Sequence, residues 1–215
     1  MRPEALPWLA LCALSCAGLL ASERRGWRAG VWLTKPLASA ACVATALASG
    51  GLETGYGRRV VLALALSWWG DLLLIPAGVG AAFLLGMGSF LAAHLAYAAA
   101  FLGADPPAAP VALAAAALAP VWLATWRWLR PHLEGPLRLA VPLYAAAIGA
   151  MVALAAGAAT SLSRPGLFAG ALLFAVSDLS VARDRLVAPA FAHVAWGLPA
   201  YFAAQLLLAL SVGSG

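Results

Sequence analysis

Charged side chains are scarce in this chain: 10% of its 215 residues are charged, whereas 64% are apolar. A soluble domain usually carries about a quarter charged residues. So few charges cannot cover a water-facing surface, which predicts that most of the surface faces lipid. At about 20 residues per membrane-spanning helix, this length allows roughly seven to nine spans. We therefore expect a single transmembrane domain over residues 1–215, with no second, soluble domain.

Other signatures of known function are also missing. The net charge of +5 comes from Arg residues scattered between apolar runs, without a basic stripe or a nucleic-acid motif. The three cysteines, Cys12, Cys16 and Cys42, lie in apolar stretches without metal-ligand spacing. There is no G-x-S-x-G elbow, no H-E-x-x-H and no phosphate-binding glycine loop. We therefore expect no metal, no cofactor and no nucleic-acid partner, and nothing in the sequence implies a protein partner.

Apolar runs separated by charges, Gly and Pro predict an all-α integral membrane bundle of eight transmembrane helices. The predicted helices cover residues 5–21, 30–49, 59–77, 81–102, 108–129, 136–158, 165–182 and 190–211. The Ala- and Leu-rich runs lack the alternation of barrel strands. No A-x-A cleavage signal precedes Glu23-Arg24-Arg25, so the first segment is expected to be a retained helix rather than a signal peptide.

The distribution of positive charges predicts the orientation of the bundle. One side of the predicted helices holds Arg24, Arg25, Arg28, Lys35, Arg127, Arg130, Arg138, Arg183 and Arg185. The other side holds Arg2, Arg58, Arg59 and Arg164. The positive-inside rule places the more basic side in the cytoplasm and both termini outside. The usage of Ala, Gly and Arg favours a bacterial inner membrane.

Ionisable side chains inside membrane spans are costly unless paired or hydrated, which makes them candidate site residues. At 1.5 Å per residue, Asp71, Asp178 and Lys35 lie roughly 6–9 Å from the basic side, on three different helices. This common depth predicts a shared polar pocket. His94 is expected to lie about 10 Å or more away from that level. The other polar candidates are Tyr97, Tyr144, Tyr201 and Gln205.

Each candidate also has a purely structural explanation. Asp71 could cap a break in its helix, Asp178 could form an interfacial ion pair with a nearby Arg, and Lys35 could extend to the membrane surface. His94 could be a buried histidine bonded to a backbone carbonyl. The Tyr and Gln residues could provide packing with one hydrogen bond.

The two aspartates mark a weak internal repeat. Trp69-Gly70-Asp71-Leu72 resembles Ser177-Asp178-Leu179, and His94 and Tyr201 follow the respective aspartates by 23 residues. A four-helix unit duplicated in tandem would keep its orientation and place both aspartates at similar depth. The alternative is chance similarity in a chain rich in Ala and Leu.

Two carboxyl groups at one depth suit an acid-catalysed hydrolysis through an oxocarbenium-like cation. One carboxylic acid donates a proton, and the other carboxylate stabilises the cation and directs water. A site within reach of lipid favours a lipid substrate. Two other classes remain open. The first is a transporter or flippase, because buried Asp, Lys and His also form proton relays. The second is a scaffolding protein, which would tolerate Asn in place of both Asp71 and Asp178.

A series of short elements, in order along the chain, resembles the YhhN family of membrane lysoplasmalogenases. The elements are Lys35-Pro36, Gly70-Asp71, an F-x-x-G…F-x-x-x-H-x-x-Y pattern from Phe83 to Tyr97, Pro142-Leu143-Tyr144, Ser177-Asp178, and Tyr201 with Gln205. The resemblance covers residues 35–205. Two features depart from it: Phe202 stands where many relatives have a second tyrosine, and Arg183-Asp184-Arg185 is unusually charged.

The resemblance implies an eight-helix membrane fold and a specific reaction. That reaction is hydrolysis of the vinyl ether bond of lysoplasmalogens to a fatty aldehyde and glycerophospho-ethanolamine or -choline. It implies catalytic roles for Asp71 and Asp178. It further implies substrate-binding or supporting roles for Lys35, His94, Tyr97, Tyr144, Tyr201 and Gln205. The departures leave the headgroup preference open.

Overall fold

The chain folds into a bundle of long α-helices. The computed structural model describes residues 2–213 and contains eight long helices and no strand over that range. They are α1 Leu6–Arg24, α2 Arg28–Ala48, α3 Gly55–Leu73, α4 Ala81–Leu102, α5 Ala108–Leu129, α6 Leu137–Ser161, α7 Pro165–Ala182 and α8 Phe191–Leu210. Short 3-10 turns cover Pro3–Ala5 and Arg130–His132, and a π-helical turn, Arg183–Val187, extends α7. The predicted all-α membrane bundle is confirmed.

Seven helices in the described range are long and apolar enough to cross a membrane. The remaining one, α3, has 19 residues, which is enough for a span, but it carries Arg58, Arg59 and Asp71. These three charges lower its hydropathy, so composition identifies seven spans where we predicted eight. The carboxyl group of Asp71 is buried inside the bundle and is therefore hidden from lipid.

The predicted third helix, 59–77, was misplaced by four residues at each end, because α3 covers Gly55–Leu73. Thr54 starts the helix early, since its side chain accepts a hydrogen bond from the backbone N–H of Gly57 at 2.9 Å. The end comes before Pro76, which disfavours helical geometry at the preceding residue. Arg58, which the prediction left before the helix, therefore lies in the first turn of α3, and Arg59 follows it.

The two ends of the bundle are closed by different polar contacts. At one end, Arg185 donates hydrogen bonds to the carbonyl oxygens of Leu74 (2.6 Å) and Pro76 (3.1 Å). At the other end, Arg2 and Glu53 form an ion pair at 2.7 Å. We call the first of these the basic end, because it also carries the loops between α1 and α2 and between α5 and α6. Its cytoplasmic orientation and the bacterial inner membrane remain predictions.

Helix α5 lies at the periphery of the bundle. It packs chiefly against α6, and Leu129 is its one buried residue. Among the other helices, the antiparallel neighbours α3 and α4 pack against each other, and so do α7 and α8. Helix α8 also contacts α1 and α2. This arrangement leaves a gap between α5 and the rest of the bundle.

Close packing at Gly70 fixes α3 against α4. A Cβ atom at this position would lie 2.6 Å from the ring of Phe90, which is buried against Phe174 and Tyr201. We expect Gly70→Ala to destabilise the fold by about 1–3 kcal/mol, the usual cost of overpacking a core. The measurement is thermal unfolding in detergent. Gly88→Ala is the matched control, because a Cβ there has open space; equal melting temperatures of the two variants would contradict the prediction.

Candidate active site

A cavity of about 410 Å³ enters the bundle from the basic end. Its polar lining includes Lys35, Asp71, Tyr144, Asp178 and Tyr201. Lys35 and the two aspartates therefore line one cavity, whereas their common depth in the membrane stays a prediction.

The cavity has a charged mouth and an apolar wall. Its mouth, at the basic end, is lined by Glu23, Asp184 and Arg185. On the side facing α5 and α6 the lining is mostly apolar and includes Leu118, Val121, Trp122, Ala145 and Ile148. An amphiphilic molecule could therefore place its polar part at the mouth and its hydrocarbon part along α5.

Asp71, on α3, is surrounded by hydrogen-bond donors. Its Oδ2 accepts from the hydroxyl of Ser39 at 2.5 Å and from that of Tyr201 at 2.6 Å. The Nζ atom of Lys35 lies 3.4 Å from Oδ1. An ionised carboxyl group only accepts hydrogen bonds, so three donors, one of them cationic, suit a carboxylate. Lys35 is therefore paired inside the bundle, with its side chain 12% exposed.

Ser39 was not among the site residues predicted from the sequence. It lies one helical turn after Lys35 on α2, and residues four apart share a helix face. That spacing could have identified Ser39 as a site residue. However, serine is common in apolar helices, where its hydroxyl usually donates to the carbonyl four residues earlier. In Ser39 that carbonyl, of Lys35, lies 3.2 Å from Oγ, but the single hydroxyl hydrogen is donated over the shorter distance to Asp71.

Asp178, on α7, has a different partner. Its Oδ2 lies 3.3 Å from Nε2 of His94, without the alignment of a hydrogen bond. The other ring nitrogen, Nδ1, lies 2.6 Å from the carbonyl oxygen of Phe90. A carbonyl oxygen only accepts, so Nδ1 carries a hydrogen and Nε2 faces the carboxyl group. A proton on either Nε2 or Oδ2 would lie between the two groups, so the arrangement is able to hold one transferable proton.

The expected separation between His94 and Asp178 was wrong. The π-helical turn extends α7 to Val187, so Asp178 lies nine residues, or roughly 14 Å, from that end. His94 lies roughly 20 Å from the start of α4. Side chains lean toward the N-terminus of their helix, and α4 and α7 run in opposite directions. The two side chains therefore lean toward each other and close the remaining gap.

A chain of hydrogen bonds lies behind Asp71. The hydroxyl of Tyr97 donates to Oε1 of Gln205 at 2.8 Å, and Nε2 of Gln205 donates to the hydroxyl of Tyr201 at 3.0 Å. Of these three side chains, only Tyr201 lines the cavity. Tyr97 and Gln205 are therefore supporting residues by position, and so is His94, which is fully buried.

Tyr144, on α6, completes the surroundings of Asp178. It lines the cavity, and its ring meets that of His94 edge-on at a centroid distance of 5.2 Å. Its hydroxyl is close enough to the carboxyl group of Asp178 to interact with it. A phenol and an imidazole thus flank this carboxyl group, whereas an ammonium and two hydroxyl groups flank Asp71.

Two serines also line the cavity, but neither is prepared as a nucleophile. Ser177 donates its hydroxyl hydrogen to the carbonyl of Phe174 at 2.7 Å, and Ser180 donates to the carbonyl of His193 at 2.8 Å. A catalytic serine needs its hydroxyl bonded to a base. Within residues 2–213, no three His, Cys, Asp or Glu side chains are grouped to hold a metal ion.

The partners of the two aspartates are exchanged between the halves of the chain. Asp71, in the first four helices, accepts from Tyr201 of α8, and Asp178, in the last four, faces His94 of α4. His94 and Tyr201 each follow the aspartate of their own half by 23 residues. A duplicated four-helix unit packed against its copy would produce this reciprocal arrangement, and the duplication remains a prediction.

Comparison with known proteins identifies relatives along most of the chain. The model of the YhhN family matches residues 30–212. Lysoplasmalogenase TMEM86B of Sus scrofa is 31% identical over 210 residues, which covers 96% of this chain and 84% of that protein. Lysoplasmalogenase TMEM86A of Bos taurus is 36% identical over 159 residues, covering 71% of this chain.

Bacterial relatives are equally similar. The lysoplasmalogenase of Mycobacterium bovis is 35% identical over 179 residues, which covers 78% of this chain. The matched region spans 64% of the length of bovine TMEM86A and 66% of that of the mycobacterial protein. No solved structure matches this chain significantly.

Proposed function

Because the chain belongs to the YhhN family, we propose that it is a membrane lysoplasmalogenase. It would hydrolyse the vinyl ether bond of a lysoplasmalogen and release a fatty aldehyde and a glycerophospho-ethanolamine or -choline. The name of its mammalian and mycobacterial relatives supports this activity. The observation that carries the proposal is the pair of carboxyl groups that line one cavity with different partners, Asp71 with donors and Asp178 with His94.

The shape of the cavity suits a single-chain lipid. A lysoplasmalogen has a zwitterionic headgroup, a glycerol, a vinyl ether and one hydrocarbon chain, in that order. The mouth, with Glu23, Asp184 and Arg185, offers charges of both signs to a zwitterion. The wall along α5 is apolar except for Thr125. A lipid lying between these two regions would bring its vinyl ether past the two aspartates.

Asp178 is the proton donor in this proposal. The proton that it shares with His94 is transferred to the vinyl carbon remote from the ether oxygen. The carbon next to the oxygen then becomes part of an oxocarbenium cation. Asp178 is left as a carboxylate beside this cation and stabilises it. Hydrogen bonds at catalytic groups are often long before substrate binds, so the 3.3 Å contact is compatible with this role.

Asp71 acts as the base. Its carboxylate accepts a proton from a water molecule while the water oxygen bonds to the cationic carbon, which gives a hemiacetal. Collapse of the hemiacetal breaks the bond between carbon and ether oxygen, releasing the aldehyde and leaving a hydroxyl on the glycerol. One water is consumed in total, and the proton taken up by Asp71 balances the one given by Asp178. Lys35, 3.4 Å from Asp71, keeps this carboxylate in place and can contact the lipid phosphate.

The test is aldehyde release by the purified protein in detergent. We expect aldehyde from a lysoplasmenyl lipid and none from its saturated alkyl-ether analogue, because only an enol ether gives an oxocarbenium ion on protonation of carbon. Mass spectrometry of the lysolipid product would show a free hydroxyl in place of the vinyl ether. A folded protein that releases no aldehyde would refute the proposal and favour the transporter class, which lipid and proton flux in vesicles would then examine.

A further inference from the structure

We infer that Gln205 and Tyr97 are positioning residues that direct the hydroxyl hydrogen of Tyr201 onto Asp71. The inference rests on the proposed function and assigns a task to two side chains that do not line the cavity. All three hydrogen bonds between Tyr97 and Asp71 point the same way, from α4 through α8 to α3. The last acceptor in this series is the carboxylate of Asp71, which acts as the base.

We call these three hydrogen bonds the relay, and its direction follows from counting the donors and acceptors in it. The phenolic oxygen of Tyr201 has one hydrogen, and it receives a second hydrogen bond from Nε2 of Gln205 at 3.0 Å. While that amide donates, the hydrogen of Tyr201 can go only outward, to Oδ2 of Asp71 at 2.6 Å. The amide of Gln205 therefore decides whether the base keeps its Tyr201 donor.

Tyr97 holds the amide of Gln205 in this orientation. If the amide were rotated by half a turn, its oxygen would accept the hydrogen of Tyr201 and Asp71 would lose a donor. The hydroxyl of Tyr97 would then accept from the amide nitrogen, and its own hydrogen would lose its bond to Oε1. Tyr97 and Gln205 are both buried, so each lost hydrogen bond would leave an unsatisfied group away from water. Both losses oppose the rotation.

Gln205→Glu provides a test in which pH changes the direction of the relay. A neutral carboxyl group at this position can still accept from Tyr97 and donate to Tyr201. An ionised one can only accept, so it would draw the hydrogen of Tyr201 away from Asp71. The titratable groups around it are Tyr97, Tyr201, Asp71 and the thiol of Cys42. All four are also present in the wild type, which serves as the reference at each pH.

We expect the ratio of kcat between this variant and the wild type to fall as pH rises, by roughly ten- to a hundredfold, with KM unchanged. A loss of packing would lower the ratio by the same factor at every pH. Tyr56→Phe is the matched control, because it removes a half-buried hydroxyl bonded to Ser211 at 2.7 Å that does not line the cavity, and should leave kcat unchanged. A ratio independent of pH would overturn the inference.

A second set of variants covers the case in which Gln205→Glu does not fold. In the Tyr201→Phe background, Gln205→Met should cost no further kcat, because the hydrogen that the amide directs is gone. The melting temperatures of the same single and double variants give a readout independent of lipid cleavage, and we expect their losses not to add. Additive losses would overturn the relay. A wild type without aldehyde release would refute the proposed function, and the melting temperatures alone would then decide the relay.

Discussion

Asp178→Asn is expected to lower kcat for aldehyde release by roughly 10²–10⁴-fold, the usual contribution of a general acid. The amide has nearly the shape of the carboxyl group but carries no proton that it can transfer to carbon. Asn can still contact His94 and Tyr144, so the fold and the cavity should persist. The measurement is kcat with a lysoplasmenyl substrate, together with the melting temperature of the variant.

Asp105→Asn is the matched control for this substitution. Asp105 lies between α4 and α5, at the end of the bundle opposite the basic end, and has a positive φ of 50°. Asn adopts this backbone conformation readily, so the substitution causes no strain. We expect wild-type kcat from the control. Comparable activity of the Asp178→Asn and Asp105→Asn proteins would remove Asp178 from the reaction.

The sequence alone located most of the helices, because the membrane requires long apolar runs that are easy to recognise. Each apolar run must bond its own backbone groups, so length and hydropathy locate most helices. The prediction misplaced the ends of α3, because Arg58 was taken to precede the helix although it follows the cap formed by Thr54. Charges mark the ends of membrane helices only approximately, since long side chains can reach the interface from within the helix.

The candidate site was predictable in part. Counting residues from helix ends gives depth along the membrane normal, and this brought Asp71, Asp178 and Lys35 to one level. It gives no rotation about the helix axis and no direction of the side chain. The contact between His94 and Asp178 depends on those two quantities and on the π-helical turn after α7. It could therefore not be found by counting.

The spacing of 23 residues contained more information than the depths did. It related His94 to Asp71 and Tyr201 to Asp178 within each half of the chain. In the folded protein each side chain contacts the aspartate of the other half. A repeat in sequence can therefore indicate which positions are equivalent, but not whether a side chain contacts its own half or the other one. The cavity exists only where the two halves meet.

Asp71→Asn is expected to abolish aldehyde release and also to destabilise the protein. The activity is lost because an amide cannot accept a proton from water. The stability is lost because Lys35, 12% exposed, no longer faces a carboxylate at 3.4 Å. Removing one partner of a buried ion pair costs up to about 3–5 kcal/mol, since the other charge is left without compensation. Loss of activity in this variant alone would therefore not distinguish catalysis from folding.

A second substitution separates the two effects. Lys35→Met in the Asp71→Asn background removes the uncompensated charge with a side chain of similar length, so the melting temperature should rise again toward that of the wild type. Aldehyde release should stay absent, because the base is still missing. The hydroxyl groups of Ser39 and Tyr201 can both donate to the amide oxygen of Asn, so both keep a hydrogen-bond partner. If stability and activity returned together, Asp71 would be structural; if neither returned, the buried charge of Lys35 would not be the cause of the instability.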